Sequence, residues 1–366
     1  MQDAANIRPL TSLRFFAAMW VVLFHYWPDL AGAGPETGLV AKGYLGVELF
    51  FVLSGFILCH VYLAGAEEGR FRYGAFLWNR LARVYPLHLF TLAGVIALGV
   101  AATIAGFSID RNILDWASLP ANLTLTQAWG LAPQAAFNHP SWSISAEWFA
   151  YLSFPAFAWA AIRLKSRPWL GVGLALAFIA VLYPLFERLS GYSLTEATIR
   201  WGALRIVPCF ALGCAMHGLW RSGALVNRTV TLLGASISGV AIAATAFFGA
   251  SDGFAVAGFG GLIASLASLS NTGSTFGSQP IFVYLGEISY SIYMICVPWK
   301  ILFVNAAAKW LNLSDERLPL YVWLIFLVSV IPLAAASYHL VESPMRSQMK
   351  LWARARQGRR MAAAGA

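Results

Sequence analysis

Again and again this chain runs for about twenty residues with almost no charge, and that repetition decides what it can become. A helix rises about 1.5 Å per residue, so a run of roughly 20 apolar residues matches the ~30 Å hydrocarbon core of a bilayer. Ten such stretches can be marked, over residues 10–29, 43–63, 84–107, 142–163, 168–187, 201–220, 229–250, 253–270, 283–304 and 320–341. Only 11% of the residues are charged and 59% are hydrophobic, against about 25% charged in a soluble domain. That excludes a water-soluble globule built around one core. The two-residue alternation of an outer-membrane barrel is absent. The expected fold is therefore an all-α integral membrane protein of about ten transmembrane helices, residues 1–345, followed by a basic tail, residues 346–366.

Charge sets the orientation. With the N-terminus inside, sixteen of the 25 Lys and Arg residues fall in inner segments and six in outer ones; Arg14, Arg205 and Lys300 lie within or near spans. Because basic residues collect on the cytoplasmic side, both termini are expected in the cytoplasm of a multi-pass cell-membrane protein. Ala31, Gly32, Ala33 and Gly34 resemble a signal-cleavage region, but the long apolar run before them contains Arg14, which favours a retained anchor. The net charge of +9 reads as loops beside anionic headgroups, not as a nucleic-acid surface. Residues 110–130, with Trp116, Leu119, Leu123, Leu125 and Trp129, read as an interfacial helix or a re-entrant loop. Cys59, Cys209, Cys214 and Cys296 all fall in apolar runs without CxxC or His/Cys clustering, so neither a disulfide framework nor a metal site is expected.

Ionisable residues inside spans are expensive and usually mark function. Arg14 and His25 bracket the uncharged run FFAAMWVVLF. Eleven helical steps make roughly three turns plus about 20°, which puts both on one face, roughly 16 Å apart. The bland alternative is that each snorkels to its own interface. With the topology above, Glu48 and Glu147 lie at a depth similar to His25, and a carboxylate is a usual means of orienting an imidazole base. For these two the alternative is residence in the headgroup region. Arg80 and Arg83 are adjacent on a helix face just before the third span. There they suit a phosphorylated cytoplasmic ligand, or act simply as a positive-inside anchor.

Several stretches, taken in order, give the chain a family resemblance. They are RPLTSLRFFAAMWVVLFHY, GYLGVELFFVLSGFIL, FLWNRLARVYPLHL, PSWSISAEWFAYLSFP, RIVPCFALGC, LGEISYSIYMICVP and HLVESPMR. With this spacing the chain resembles the acyltransferase-3 family of integral-membrane acyltransferases over nearly its whole length. The resemblance implies transfer of an acyl group, commonly acetyl, from cytoplasmic acyl-CoA to a hydroxyl of an envelope or exported glycan, or of a small secondary metabolite. It implies catalytic roles for His25, Glu147 and Glu48, and an acyl-donor site at Arg14, Arg80 and Arg83, without a metal. Many relatives carry a His after Ser-Tyr-Ser-Ile-Tyr where this chain has Cys296, so that position receives no role. Some relatives carry a fused extracytoplasmic domain; none is expected here. Ser54, Ser143 and Ser145 are candidate oxyanion donors. A covalent acyl-enzyme route stays open beside direct transfer. A transporter or flippase remains the alternative from another class, its buried charges lining a substrate path.

Overall fold

The computed structural model describes residues 7–104, 113–271, 274–313 and 317–364, and among these every long element is a helix. The helices are α1 (Arg8–Tyr26), the short α2 (Gly38–Ala41), α3 (Gly46–Glu67), α4 (Tyr73–Ile104), the short α5 (Leu119–Leu123), α6 (Trp142–Leu152), α7 (Phe154–Arg163), α8 (Pro168–Ser190), α9 (Gly202–Arg221), α10 (Arg228–Phe248), α11 (Asp252–Asn271), α12 (Pro280–Glu287), α13 (Ser289–Leu311), α14 (Leu320–Ser337) and α15 (Ser343–Ala364).

Eight of these helical stretches are long and apolar enough to cross a membrane. Two of the ten expected spans are not among them. α1 carries Arg14 and His25 within 19 residues, and the stretch 142–163 is broken into α6 and α7 at Ser153. Pro155 sits in the first turn of α7, where its missing N–H and its ring prevent α6 from continuing. Both segments nonetheless pack within the bundle: α1 against α3, α11, α12 and α13, α6 against α4 and α9, and α7 against α3 and α9. The third span begins at Tyr73, well before the expected 84. Arg80 and Arg83 therefore lie on the spanning helix itself. The stretch 113–130 forms only the short α5 and single 3-10 turns at Trp116–Ser118 and Gln127–Trp129; residues 110–112 lie outside the described residues.

α3 and α9 form the centre. Lipid tails are as apolar as the side chains, so helices in a bilayer associate by close packing. A Cβ on Gly213 would lie 2.0 Å from the carbonyl oxygen of Val52, and one on Gly55 would lie 2.2 Å from that of Phe210. Each glycine thus lets one backbone touch the other. Gly286 does the same for α12 against α1, where a Cβ would meet the Thr11 carbonyl at 1.9 Å. At the other end of α3 from Glu67, Asp252 at the start of α11 accepts from Lys42 at 2.7 Å and from Tyr44 at 2.8 Å. The outer wall faces lipid: Phe248 is 86% and Trp310 83% exposed.

Candidate active site

A cavity of about 140 Å³ lies between α1, α3, α4, α6 and α13. Its wall is mostly aliphatic and aromatic, with Val47, Phe50, Phe51, Leu53, Ile57 and Leu58 from α3. Into it project Arg14, Arg80, Arg83 and Glu147, with Ser54, Ser143, Tyr151, Tyr290 and Tyr293. Three guanidiniums against one carboxylate make it cationic.

The four charged groups are held in different ways. Glu147, on the second turn of α6, accepts from Ser54 Oγ at 2.8 Å. Arg80 donates to the Tyr62 hydroxyl at 3.3 Å and lies over that ring, while its buried Nε has no hydrogen-bond partner among the described residues. Arg83 pairs with Glu342 at 2.9 Å and lies over Tyr290. Glu342 is 1% exposed and also accepts from Ser291 at 2.9 Å. It ends a π-helical turn, Tyr338–Glu342, between α14 and α15. Such widened turns often occur at functional positions, and this one brings the carboxylate against α4 and α13. Arg14 makes no hydrogen bond or ion pair among the described residues. The charged groups that act on it electrostatically are Arg83, Glu147 and Glu342.

His25 lies elsewhere. It sits at the far end of α1, where Lys300 of α13 donates to the His25 carbonyl at 2.8 Å and pairs with Asp29 at 2.9 Å. Trp323 donates to the Tyr26 carbonyl at 2.7 Å, and the Tyr26 ring stacks on Phe326 at 3.8 Å. These contacts fix the end of α1 against α13 and α14. The charged or titratable groups interacting with the His25 ring are His139 and Lys300. His139 opens a 3-10 turn, His139–Ser141, just before α6. The carbonyl of Pro140 in that turn accepts from Tyr293 and from Ser143, both at 3.0 Å and both cavity-lining. The turn is thus tied to the cavity wall through Ser143 and Tyr293, and its His139 interacts electrostatically with His25. Burial, reinforced by Arg205, pushes the His139 imidazole below its ordinary range, which keeps it neutral at neutral pH.

The structure brings Arg14, Arg80, Arg83 and Glu147 together, and leaves His25 and Glu48 outside that group. The expected carboxylate partner of His25 is not formed: among the described residues neither Glu48 nor Glu147 is hydrogen-bonded to it. Glu48 is fully buried and paired with Arg205 through two guanidinium nitrogens, the NH2 contact at 3.0 Å. Arg205 also donates to the Ala197 carbonyl at 2.9 Å and stands 4.5 Å over the Trp142 ring. A guanidinium at this depth needs a counter-ion, and it captures the nearest carboxylate. Of the candidate oxyanion donors, Ser54 and Ser143 line the cavity, whereas Ser145 is engaged by the Ala128 N–H at 3.0 Å.

Sequence reasoning gave no role to Glu342, His139 or the three cavity tyrosines, and to Arg205 only a place along the substrate path of the transporter alternative. A signal existed for Arg205, since a charge inside a predicted span demands a partner; Glu342 lies one residue beyond the expected span 320–341, within the quoted HLVESPMR stretch. Tyr290 and Tyr293 sit within the quoted SYSIYM run. His139 had no such signal, because its loop placement depends on the tertiary fold.

The family pattern described as an acyltransferase domain matches residues 9–339. Acyltransferase MdmB of Streptomyces mycarofaciens is 31% identical over 314 residues, covering 78% of this chain and 77% of the relative. O-acetyltransferase OatA of Staphylococcus aureus (strain NCTC 8325 / PS 47) is 24% identical over 365 residues, covering 93% of this chain and 57% of the relative. Protein 2 in picA locus of Rhizobium radiobacter is 34% identical over 122 residues, covering 33% of this chain and 61% of the relative. No solved structure matches the chain. A helical membrane protein whose sequence matches the family pattern over nearly its whole length belongs to the acyltransferase-3 family and is an acyltransferase.

Proposed function

We propose that the protein moves an acyl group, acetyl first among candidates, from cytoplasmic acyl-CoA to a hydroxyl of an envelope or exported glycan. The reading places both termini in the cytoplasm and the protein in the cell membrane, with residues 346–366 as a cytoplasmic basic tail. The observation that carries it is the cationic cavity of Arg14, Arg80, Arg83 and Glu147, whose wall residues Ser143 and Tyr293 hold the turn that begins at His139. CoA phosphates are multiply charged and stay at the cytoplasmic end, near Arg80 and Arg83. The thinner pantetheine arm follows the apolar wall past Arg14. Along the continuous α1, Arg14 and His25 are roughly 16 Å apart, so the thioester has to travel deep into the protein to meet the acceptor.

The chemistry is one acyl exchange. The acceptor oxygen attacks the thioester carbonyl while neutral His25 takes the hydroxyl proton. The C–S bond breaks, the ester C–O bond stays, and the thiolate leaves and takes up a proton as CoA. In this reading the Ser54 hydroxyl turns from Glu147 to supply a hydrogen bond to the oxyanion. Glu147 orients Ser54 and balances Arg14 rather than touching His25, and Glu48 supports the fold through Arg205.

The test uses membranes with the intact chain and with His25→Ala, given labelled acetyl-CoA from the cytoplasmic side. His25-dependent label in envelope carbohydrate is the expected result. Equal label in both membranes would remove His25 from the reaction, and label found only in small extractable metabolites would replace the glycan.

A further inference from the structure

A second and larger cavity, about 390 Å³, opens between α7, α8 and α9. It shares no lining residue with the cationic cavity, so the acyl-transfer reading does not use it. Small side chains create it: Ala175 on α8, and Ala211, Ala215 and Gly218 on α9, form a floor. Phe157, Leu174 and Phe178 form walls. Leu174 is 53% and Phe178 40% exposed, so the groove opens sideways toward the lipid. From Ala211 to Ser222 it follows α9 for eleven residues, roughly 16 Å, about half the thickness of a hydrocarbon core.

The mouth is polar and positive. Lys165, Arg221 and Ser222 line it. Arg221 is paired with Glu67 through contacts of 3.0 and 2.8 Å. Lys165 makes no ion pair or hydrogen bond among the described residues, and Arg163 and Arg167 stand two positions to either side. Trp159 and Trp169, each 62% exposed, lie on the helices flanking the mouth, as aromatic residues do at headgroup level. An apolar slot of one-leaflet length, open to lipid and headed by Lys165 and Arg221 with the Glu67 carboxylate acting on both, fits one kind of molecule.

We infer that this groove binds an anionic glycerophospholipid, one acyl chain lying along α9 and the headgroup phosphate at Lys165. The volume falls within the ~300–1,000 Å³ usual for ligand sites. The inference stands apart from the acyl-transfer reading and survives its failure.

Gly218 supplies the test. Nothing lies within 4 Å of a Cβ built there, so Gly218→Phe fills the groove without a clash at its root. Ala160→Phe fills it from the opposite wall. The purified full chain is exposed to equimolar phosphatidylglycerol and phosphatidylethanolamine, and retained lipids are counted by native mass spectrometry. The expected result is at least one phosphatidylglycerol retained in preference. Both filling variants are expected to lose it several-fold at an unchanged melting temperature, and Lys165→Gln to bind the two lipids alike. Undiminished lipid in two folded filling variants would overturn the site. Equal binding of the two lipids by the unaltered protein would overturn the anionic occupant.

Discussion

Arg83 and Glu342 meet 2.9 Å apart where the π-helical turn at the end of α14 reaches the first half of α4. The carboxylate is 1% exposed and the arginine 20%. Ser291 holds the second oxygen at 2.9 Å, and Arg346 stands 3.7 Å from the first. One buried carboxylate therefore anchors three helices at the base of the cationic cavity.

Removing Glu342 leaves the Arg83 charge with nothing to answer it. Breaking a buried pair from one side typically costs about 3–5 kcal/mol. Glu342→Ala should lower stability by about that amount, read as a shift of thermal unfolding in detergent. Glu342→Gln keeps an acceptor for Ser291 and should cost about 1–3 kcal/mol. An alanine variant as stable as the unaltered protein would mean that Arg83 finds another partner.

Arg14 behaves in the opposite way. It faces the cavity without a hydrogen bond or ion pair among the described residues, so its removal breaks no direct contact of either kind. Stability should change little. A charge-assisted hydrogen bond to a bound donor is worth about 1.5–3 kcal/mol, and 1.4 kcal/mol is tenfold. Arg14→Ala should therefore lower kcat/KM for the acyl donor by about 10- to 100-fold. Arg14→Lys restores charge but not the planar fork, and should recover part of the loss. Unaltered steady-state kinetics for the alanine variant would remove Arg14 from donor binding.

Glu48 and Arg205 form a closed pair, with the carboxylate 0% and the arginine 2% exposed. Each single alanine variant should lose about 3–5 kcal/mol. The double variant should lose clearly less than the sum, because no lone charge remains. Additive losses in a double-mutant cycle would show that the two act separately, and would reopen a direct chemical role for Glu48.

Two glycines on α9, five residues apart, should answer substitution differently. A Cβ at Gly213 meets the Val52 carbonyl at 2.0 Å and the Phe56 nitrogen at 2.8 Å, whereas one at Gly218 meets nothing within 4 Å. Overpacking typically costs about 1–3 kcal/mol, and here backbone must move, so Gly213→Ala should sit at or above the top of that range. Gly218→Ala should be neutral or slightly stabilising through helix propensity. Matched melting curves for the two variants would contradict the close contact of α3 with α9.

The outline of the bundle was legible because lipid imposes it: a run of about 20 apolar residues leaves little choice of structure. Two of the five helices around the site, α1 and α6, are not among those long and apolar enough to cross a membrane. α1 falls short of the apolar runs because Arg14 and His25 interrupt it, and α6 ends early at Ser153. Arg14, Arg80, Arg83 and Glu147 could be picked out singly, since a charge in a span stands out against its neighbours. Their partners could not. Whether Glu48 serves His25 or Arg205 depends on α3 and α9 touching at Gly55 and Gly213, a contact between residues more than 150 positions apart. The same holds for Glu342, whose reach to Arg83 depends on a single widened turn.

Two hydroxyls of the cationic cavity wall hold the 3-10 turn at His139–Ser141: Tyr293 and Ser143 each donate to the Pro140 carbonyl at 3.0 Å. A transferase that opens to water must keep the activated acyl group dry until the acceptor arrives, and on the proposed reading this turn does so. Tyr293→Phe with Ser143→Ala removes both donors while keeping the ring of residue 293, which lies 6.2 Å from Phe50. Losing two neutral hydrogen bonds costs about 1–3 kcal/mol, too little to unfold a bundle of this size but enough to loosen one turn. The double variant should therefore raise acyl-CoA hydrolysis without acceptor several-fold relative to transfer with acceptor, at a nearly unchanged melting temperature. The measurement is free CoA release by the purified protein in the two conditions. An unchanged ratio would mean that water is kept from the thioester by some other part of the structure. A fall in both rates together would instead assign Tyr293 and Ser143 to the reacting carbonyl.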